Sequence, residues 1–208
     1  MGLVFSVLSG CQANAPHTAR TPDFELWRVV AGSSAKPPVW FSFPKPFESY
    51  AGEFPRVEGE LRIDEHGTTG WFRVSIMEAT LGEEELDKNV RNNMEMLAGG
   101  KYPVSTFHVL SMTPAKPNAN GPVDVVLRGE LDLKGIRTQV KAPAVLTLEK
   151  SKPARLRGGF SIESLRERFS IVGPGVEGEP SGDRVEVMFD VNLTHGASQG
   201  NAKLGDRF

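Results

Sequence analysis

Few side chains in this 208-residue chain could do covalent or metal chemistry. The four histidines, His17, His66, His108 and His195, are far apart and never at the spacing that places two imidazoles on one metal. The single cysteine, Cys11, excludes an intramolecular disulfide and any zinc site built from several thiolates. There is no GxSxG elbow, HExxH pair, phosphate-cradling glycine loop or dinucleotide fingerprint. Glu83, Glu84 and Glu85 could attract a cation, but consecutive helical residues point in different directions, so the triplet reads as a solvated face. Arg157-Gly158-Gly159 sits inside a strand pattern and marks a bulge or a close backbone approach. No metal site and no acid–base or nucleophile constellation can be assembled, so the expectation is a protein that is not an enzyme and carries no cofactor.

Cys11 itself has a context. The chain begins MGLVFSVLSGCQ, an apolar run from Leu3 to Leu8 followed by Ser9, Gly10 and the cysteine. This LSGC resembles the lipobox of bacterial lipoproteins. Small residues let a peptidase approach the backbone, and the new N-terminal cysteine receives acyl chains that each contribute about 0.8 kcal/mol per buried methylene. The resemblance implies lipidation at Cys11, a membrane partner through that anchor, and a place on the periplasmic side of the envelope. Gln12 rather than Asp after the cysteine favours the outer membrane over the inner. No Lys or Arg precedes Cys11, so residues 1–11 read as a partial signal whose true start lies upstream or has been trimmed. Two alternatives stay open: Met1-Gly2 with Ser6 fits a myristoylation pattern, and the cysteine could be an incidental one at a frayed end.

Composition narrows the partner. Lys and Arg total 24 against 26 Asp and Glu, a net charge of −2 with a pI near 6.1, which gives no electrostatic case for nucleic acid. Gly at 22 and Pro at 15 indicate many turns and short elements. Residues 12–23 are polar, small and aperiodic and read as a flexible tether, as do residues 195–208 at the other end. The folded body is then 24–194.

Within it the dominant period is two. Val123, Val125, Leu127, Leu131 and Leu133 alternate with polar residues, and so do Val185, Val187, Phe189, Val191 and Leu193. Val57–Ile63 and Trp71–Ile76 flank the turn-rich DEHGTTG. Val140–Leu148 pairs with the strand ending at Leu133, and Leu156–Ile162 and Phe169–Val172 are further short strands. One segment differs: Leu86, Val90, Met94 and Leu97 form a helical stripe in Leu81–Leu97, with Thr80 and Glu83 as a capping box and Gly99-Gly100 as the stop. The expectation is an all-β protein, an antiparallel lipocalin-like barrel of about eight strands with one short mid-chain helix. A two-sheet sandwich remains the alternative. Phe41, Phe43, Trp71, Val125, Leu127, Leu131, Phe160, Ile162, Val187 and Phe189 are the candidates to line the interior. Whether that interior is a filled core or an apolar pocket is left open by the pattern, since both look alike in sequence.

Several segments together resemble one family. Tyr102-Pro103-Val104-Ser105-Thr106-Phe107 is similar to the YP-x-x-x-F segment of the YceI-like family, and Asp87-Lys88-Asn89-Val90 falls where that family has an aspartate-bearing helix. Gly129 to Arg137 (GELDLKGIR) resembles its glycine-bounded hairpin. Phe160-Ser161-Ile162 with Phe169-Ser170-Ile171 resembles its pair of F-x-I strands, and Val185–Leu193 its closing strand. The Phe-rich stretch usual before the YP segment appears here as Asn93-Met94-Glu95-Met96-Leu97. The resemblance implies an extended barrel around a long apolar cavity that binds polyisoprenoid chains, including quinones, in the bacterial envelope. The expected function is an envelope lipoprotein binding such a lipid without catalysis. The alternative is a packed barrel serving as an envelope protein–protein interaction or stress-response module.

Overall fold

The computed structural model describes residues 24–30, 37–47, 49–114, 121–148, 154–174 and 182–196. Apolar–polar alternation produces ten strands in them: β1 (Glu25–Val29), β2 (Val39–Ser42), β3 (Ala51–Phe54), β4 (Glu58–Asp64), β5 (Gly67–Ser75), β6 (Val104–Thr113), β7 (Gly121–Leu133), β8 (Ile136–Leu148), β9 (Ala154–Glu163) and β10 (Arg184–Gly196). Two short helices, α1 (Glu84–Asn92) and α2 (Leu165–Phe169), and a 3₁₀ turn at Ile76–Glu78 join them. Among the described residues no helix is long and apolar enough to cross a membrane.

Eight strands close an antiparallel barrel in the order β1-β4-β5-β6-β7-β8-β9-β10, with β10 returning to β1. The barrel expected from the sequence is the architecture observed, and the sandwich is not. The wall has two tiers beside β10. At the upper end, β1 pairs with it from Leu26↔Gly196 to Val29↔Leu193. Further down, β2 takes over, with Phe41 opposite Val187 and Val39 opposite Phe189. β3 continues this lower tier from β2, and Glu53 and Thr80 exchange backbone hydrogen bonds of 2.8 and 3.0 Å, which carries the wall on to the segment after β5.

Turn chemistry sets the register. Lys134 and Gly135, with φ of +53° and +74°, connect β7 and β8 at the lower end, the two positive φ values that a tight hairpin with right-handed strand twist requires. The β4–β5 turn is shorter than DEHGTTG: Asp64 pairs with Gly67, Asp64 accepts the His66 N–H at 2.8 Å, and Thr68 is already buried in β5. On β7, Gly129 lies so close to β6 that a Cβ there would sit 2.0 Å from the His108 carbonyl oxygen. The β6 partner strand shifts register at this level, between Val109 and Ser111, leaving Leu110 unpaired and exposed.

Three expectations are corrected. The helix is shorter than Leu81–Leu97, and Thr80 does not form a capping box with Glu83. Its hydroxyl instead donates to the Asp87 carboxylate at 2.7 Å. Of the apolar stripe, Leu86 and Met94 are exposed while Val90 and Leu97 face inward. The supposed strand Phe169–Val172 is the end of α2 and the coil after it. Leu165, Phe169 and Ile171 are buried, a spacing equally compatible with either reading, and Asp183 decides it by accepting the N–H groups of Leu165 and Arg166. Finally, His195 and Gly196 are not tail: they pair with Trp27 and Leu26 in the barrel. The tether at 12–23 and the rest of the tail lie outside the described residues.

Candidate ligand-binding cavity

The barrel interior is divided by level. In the upper half Leu61, Val109, Met112, Leu146, Leu156 and Leu193 are each 5% exposed or less and fill the space between the strands. In the lower half the strands enclose a cavity of about 340 Å³, within the range of small-molecule sites. Core and pocket are therefore both present, stacked along the axis.

Eight of the ten interior candidates lie on the cavity wall. Phe41 and Phe43 come from β2 and the loop after it, Leu127 and Leu131 from β7, Phe160 and Ile162 from β9, and Val187 and Phe189 from β10. Two do not. Val125 is 2% exposed but belongs to the packed upper half, because it sits one inward step above Leu127 on β7. Trp71 is on the outer face, with the Arg73 guanidinium 5.0 Å from its ring, while its neighbour Phe72 faces the cavity. Successive residues of a strand alternate, and the Asp64↔Gly67 hairpin register assigns the inward parity to Phe72 and Val74.

Sequence reasoning also missed much of the wall. Phe54, Val57, Phe107, Leu133 and Ile171 all contribute. Leu133 carried a signal in the alternation of its strand, Phe107 as the aromatic of the YP segment and Ile171 in the F-x-I pair, whereas Phe54 and Val57 had none that set them on the wall.

The wall is almost wholly apolar, and of its polar residues Tyr50 is largely exposed while Ser105 and Arg73 are engaged elsewhere. Ser105 donates its hydroxyl to the Asp132 carbonyl at 2.9 Å. Arg73 is drawn outward by Glu58, at 2.9 and 2.6 Å. Among the described residues, no charged side chain points into the cavity for a polar ligand to neutralise. Among the described residues no three His, Cys, Asp or Glu side chains gather as a metal site.

Three segments outside the strands complete the lower end, contributing Leu81, then Val90 of α1 with Met96 and Leu97 after it, then Ile171 through Pro174. Two polar anchors hold them. The first is Asp87 on α1, only 8% exposed, whose carboxylate accepts the Leu81 N–H and the Thr80 hydroxyl and lies 3.3 Å from the Arg91 guanidinium. Arg91 also donates to the Ala79 carbonyl at 2.6 Å. The backbone hydrogen bond from Leu81, aided by Thr80 and Arg91 against the cost of burial, holds the Asp87 carboxyl below its ordinary value of 3.8.

The second anchor is Lys134. Its side chain is buried, and Nζ donates to the carbonyls of Met94 at 2.8 Å and Ser170 at 3.1 Å, joining the segment after α1 to the segment after α2. Burial lowers the lysine's pKa from 10.5. α2 itself fills the gap where β8 and β9 part below the Ala144↔Gly158 pair, and Arg168 reaches across to the Thr138 hydroxyl at 3.1 Å.

Cys11 lies outside the described residues, so the geometry bears only on the barrel. A family model for the YceI-like domain matches residues 32–193. The structure is similar to that of BcnA from Burkholderia cenocepacia, at 17% identity and a TM-score of 0.58, covering 82% of this chain and 96% of that one. A polyisoprenoid-binding domain from Saccharophagus degradans, implicated in plant cell wall breakdown, gives 14% identity and a TM-score of 0.58 over 84% and 99% of the two chains. A mutant Campylobacter jejuni YCEI protein with a monobromobimane guest matches at 13% identity and a TM-score of 0.52, over 70% and 84%. No curated protein matches the sequence.

Proposed function

The chain belongs to the YceI-like domain family, and on that premise we propose that the lower half of its barrel holds the apolar chain of a polyisoprenoid, a quinone or a similar lipid, without catalysis. The observation that carries this reading is the apolar lower cavity, lined by side chains from β2 to β10 and, among the described residues, free of any unengaged charge. A site of this kind rewards buried methylenes, each worth about 0.8 kcal/mol, and penalises a polar group that finds no partner. The Saccharophagus relative, described as a polyisoprenoid-binding domain, supports the same ligand class. The LSGC sequence supports a place on the periplasmic side of the envelope, held by acyl chains on Cys11. A packed interaction module would need a filled interior, and only the upper half is filled. Solvent extraction of protein purified from its native envelope, followed by mass spectrometry, tests the proposal. A recovered prenyl-chain lipid agrees with it, and protein that yields no lipid contradicts it.

A further inference from the structure

Two aromatic rings meet across the cavity. Phe107 is on β6 and Phe160 on β9, strands separated in the barrel by β7 and β8. Their ring centroids nevertheless lie 5.9 Å apart, with the planes tilted by 31°. Neighbouring strands are about 4.8 Å apart, so rings three strands away meet only because both project into the lumen.

The two intervening strands are built to leave that space. The inward positions between the two rings are Gly129 on β7, with Val140 opposite it on β8, and Ala142 one inward step above Val140, and β9 itself has Gly158 one inward step above Phe160. A Cβ on Gly129 would come within 2.9 Å of the Phe107 ring, so that ring lies directly over the glycine. Both phenylalanines border the cavity, whereas Val109 and Leu156, above them on the same two strands, belong to the packed half; on β10 the wall continues to Phe189 and Val191, opposite Gly158 and Leu156.

Resting on the reading of the cavity as a lipid site, we infer that the Phe107–Phe160 pair is the stop that sets how long an apolar tail the barrel accepts. Among the described residues the one wall hydroxyl without a hydrogen bond is that of Tyr50, which is 54% exposed, so a lipid enters tail first and leaves its polar end beside Tyr50 in solvent. The tail then advances until it meets the two rings. Tail carbons beyond that depth stay in water and add nothing to affinity. A benzyl group and an isoprene unit are similar in size, so removing one ring makes room for about one further unit.

The experiment is calorimetric titration of delipidated protein with geraniol, farnesol and geranylgeraniol, which differ by successive isoprene units. Wild-type affinity is expected to rise along the series and then stop rising at one of these alcohols. In Phe160→Ala it should continue to rise at the next alcohol by at least about tenfold, a gain well below the full burial of an isoprene unit. Phe160→Leu, a milder change, should give a smaller shift in the same direction, and it serves if the alanine variant melts early. A wild-type affinity that climbs without a break, or folded Phe160 variants that stop at the same alcohol as wild type, overturns the inference while leaving lipid binding intact. A wild-type protein that binds none of the three overturns both.

Discussion

The carboxylate of Asp87 accepts the backbone N–H of Leu81, so a buried acid on α1 fixes a residue of the cavity wall. Because that bond favours the charged form, the native carboxyl holds its proton less tightly than the unfolded one. Its stabilisation is fully present above the ordinary value of 3.8 and is lost as pH falls through the lower native value. Urea midpoints measured from pH 5 down to pH 2 should therefore fall more steeply for wild type than for Asp87→Asn. At pH 7 the asparagine variant should be the less stable, because its amide replaces one acceptor oxygen with a donor facing donors.

Lys134 tests whether a side chain can outweigh its own turn. Asn-Gly is the best sequence for a hairpin with two positive φ values, so Lys134→Asn improves the local conformation. It also leaves the carbonyls of Met94 and Ser170 without their shared donor. The expected outcome is a net loss of about 1–2 kcal/mol in chemical denaturation. A stabilised variant would show that the turn, not the ammonium, governs this end of the barrel.

Adjacent aromatics on β5 separate wall from surface. Phe72→Ala should weaken binding of an apolar probe such as farnesol by about tenfold or more, because its ring borders the cavity. Trp71→Ala removes a larger side chain from the outer face and should leave that affinity unchanged. Titration of both variants beside wild type checks the parity directly.

The anchor is tested apart from the barrel. Expressed in a Gram-negative host from a precursor with a complete signal, the protein should sediment with membranes, and Cys11→Ser should move it to the soluble periplasmic fraction. Equal sedimentation of the two would remove the lipid from the account without touching the cavity.

What was legible in the sequence follows the physics of each element. The long strands β7, β8 and β10 were readable because each has one buried and one wet face, so alternation persists for many residues. β1 and β3 have five and four residues, too few for a period to stand out. Phe169–Val172 reads as a strand because Phe169 and Ile171 fit a period of two as well as Leu165 and Phe169 fit a helical one, and the acid that caps α2, Asp183, lies far along the chain. Trp71 and Phe72 are adjacent aromatics, and which of them faces inward is decided by a hairpin register that no single strand contains. The core-or-pocket question depended on which inward residues share a level, and that is a property of strand pairing. Lys134 was invisible as an anchor, since its partners are backbone carbonyls 40 and 36 residues away.

The central claim is that the lower half of the barrel holds an apolar chain. It is tested most directly by quantifying lipid bound to natively purified wild type and to Val187→Trp, whose indole would project into the cavity between Phe41 and Phe160. Circular dichroism establishes that both are folded. The account predicts about one prenyl-chain lipid per wild-type molecule and little or none on the filled variant, as expected for a single site of this volume. Equal lipid on both proteins would place the ligand outside the cavity and contradict it.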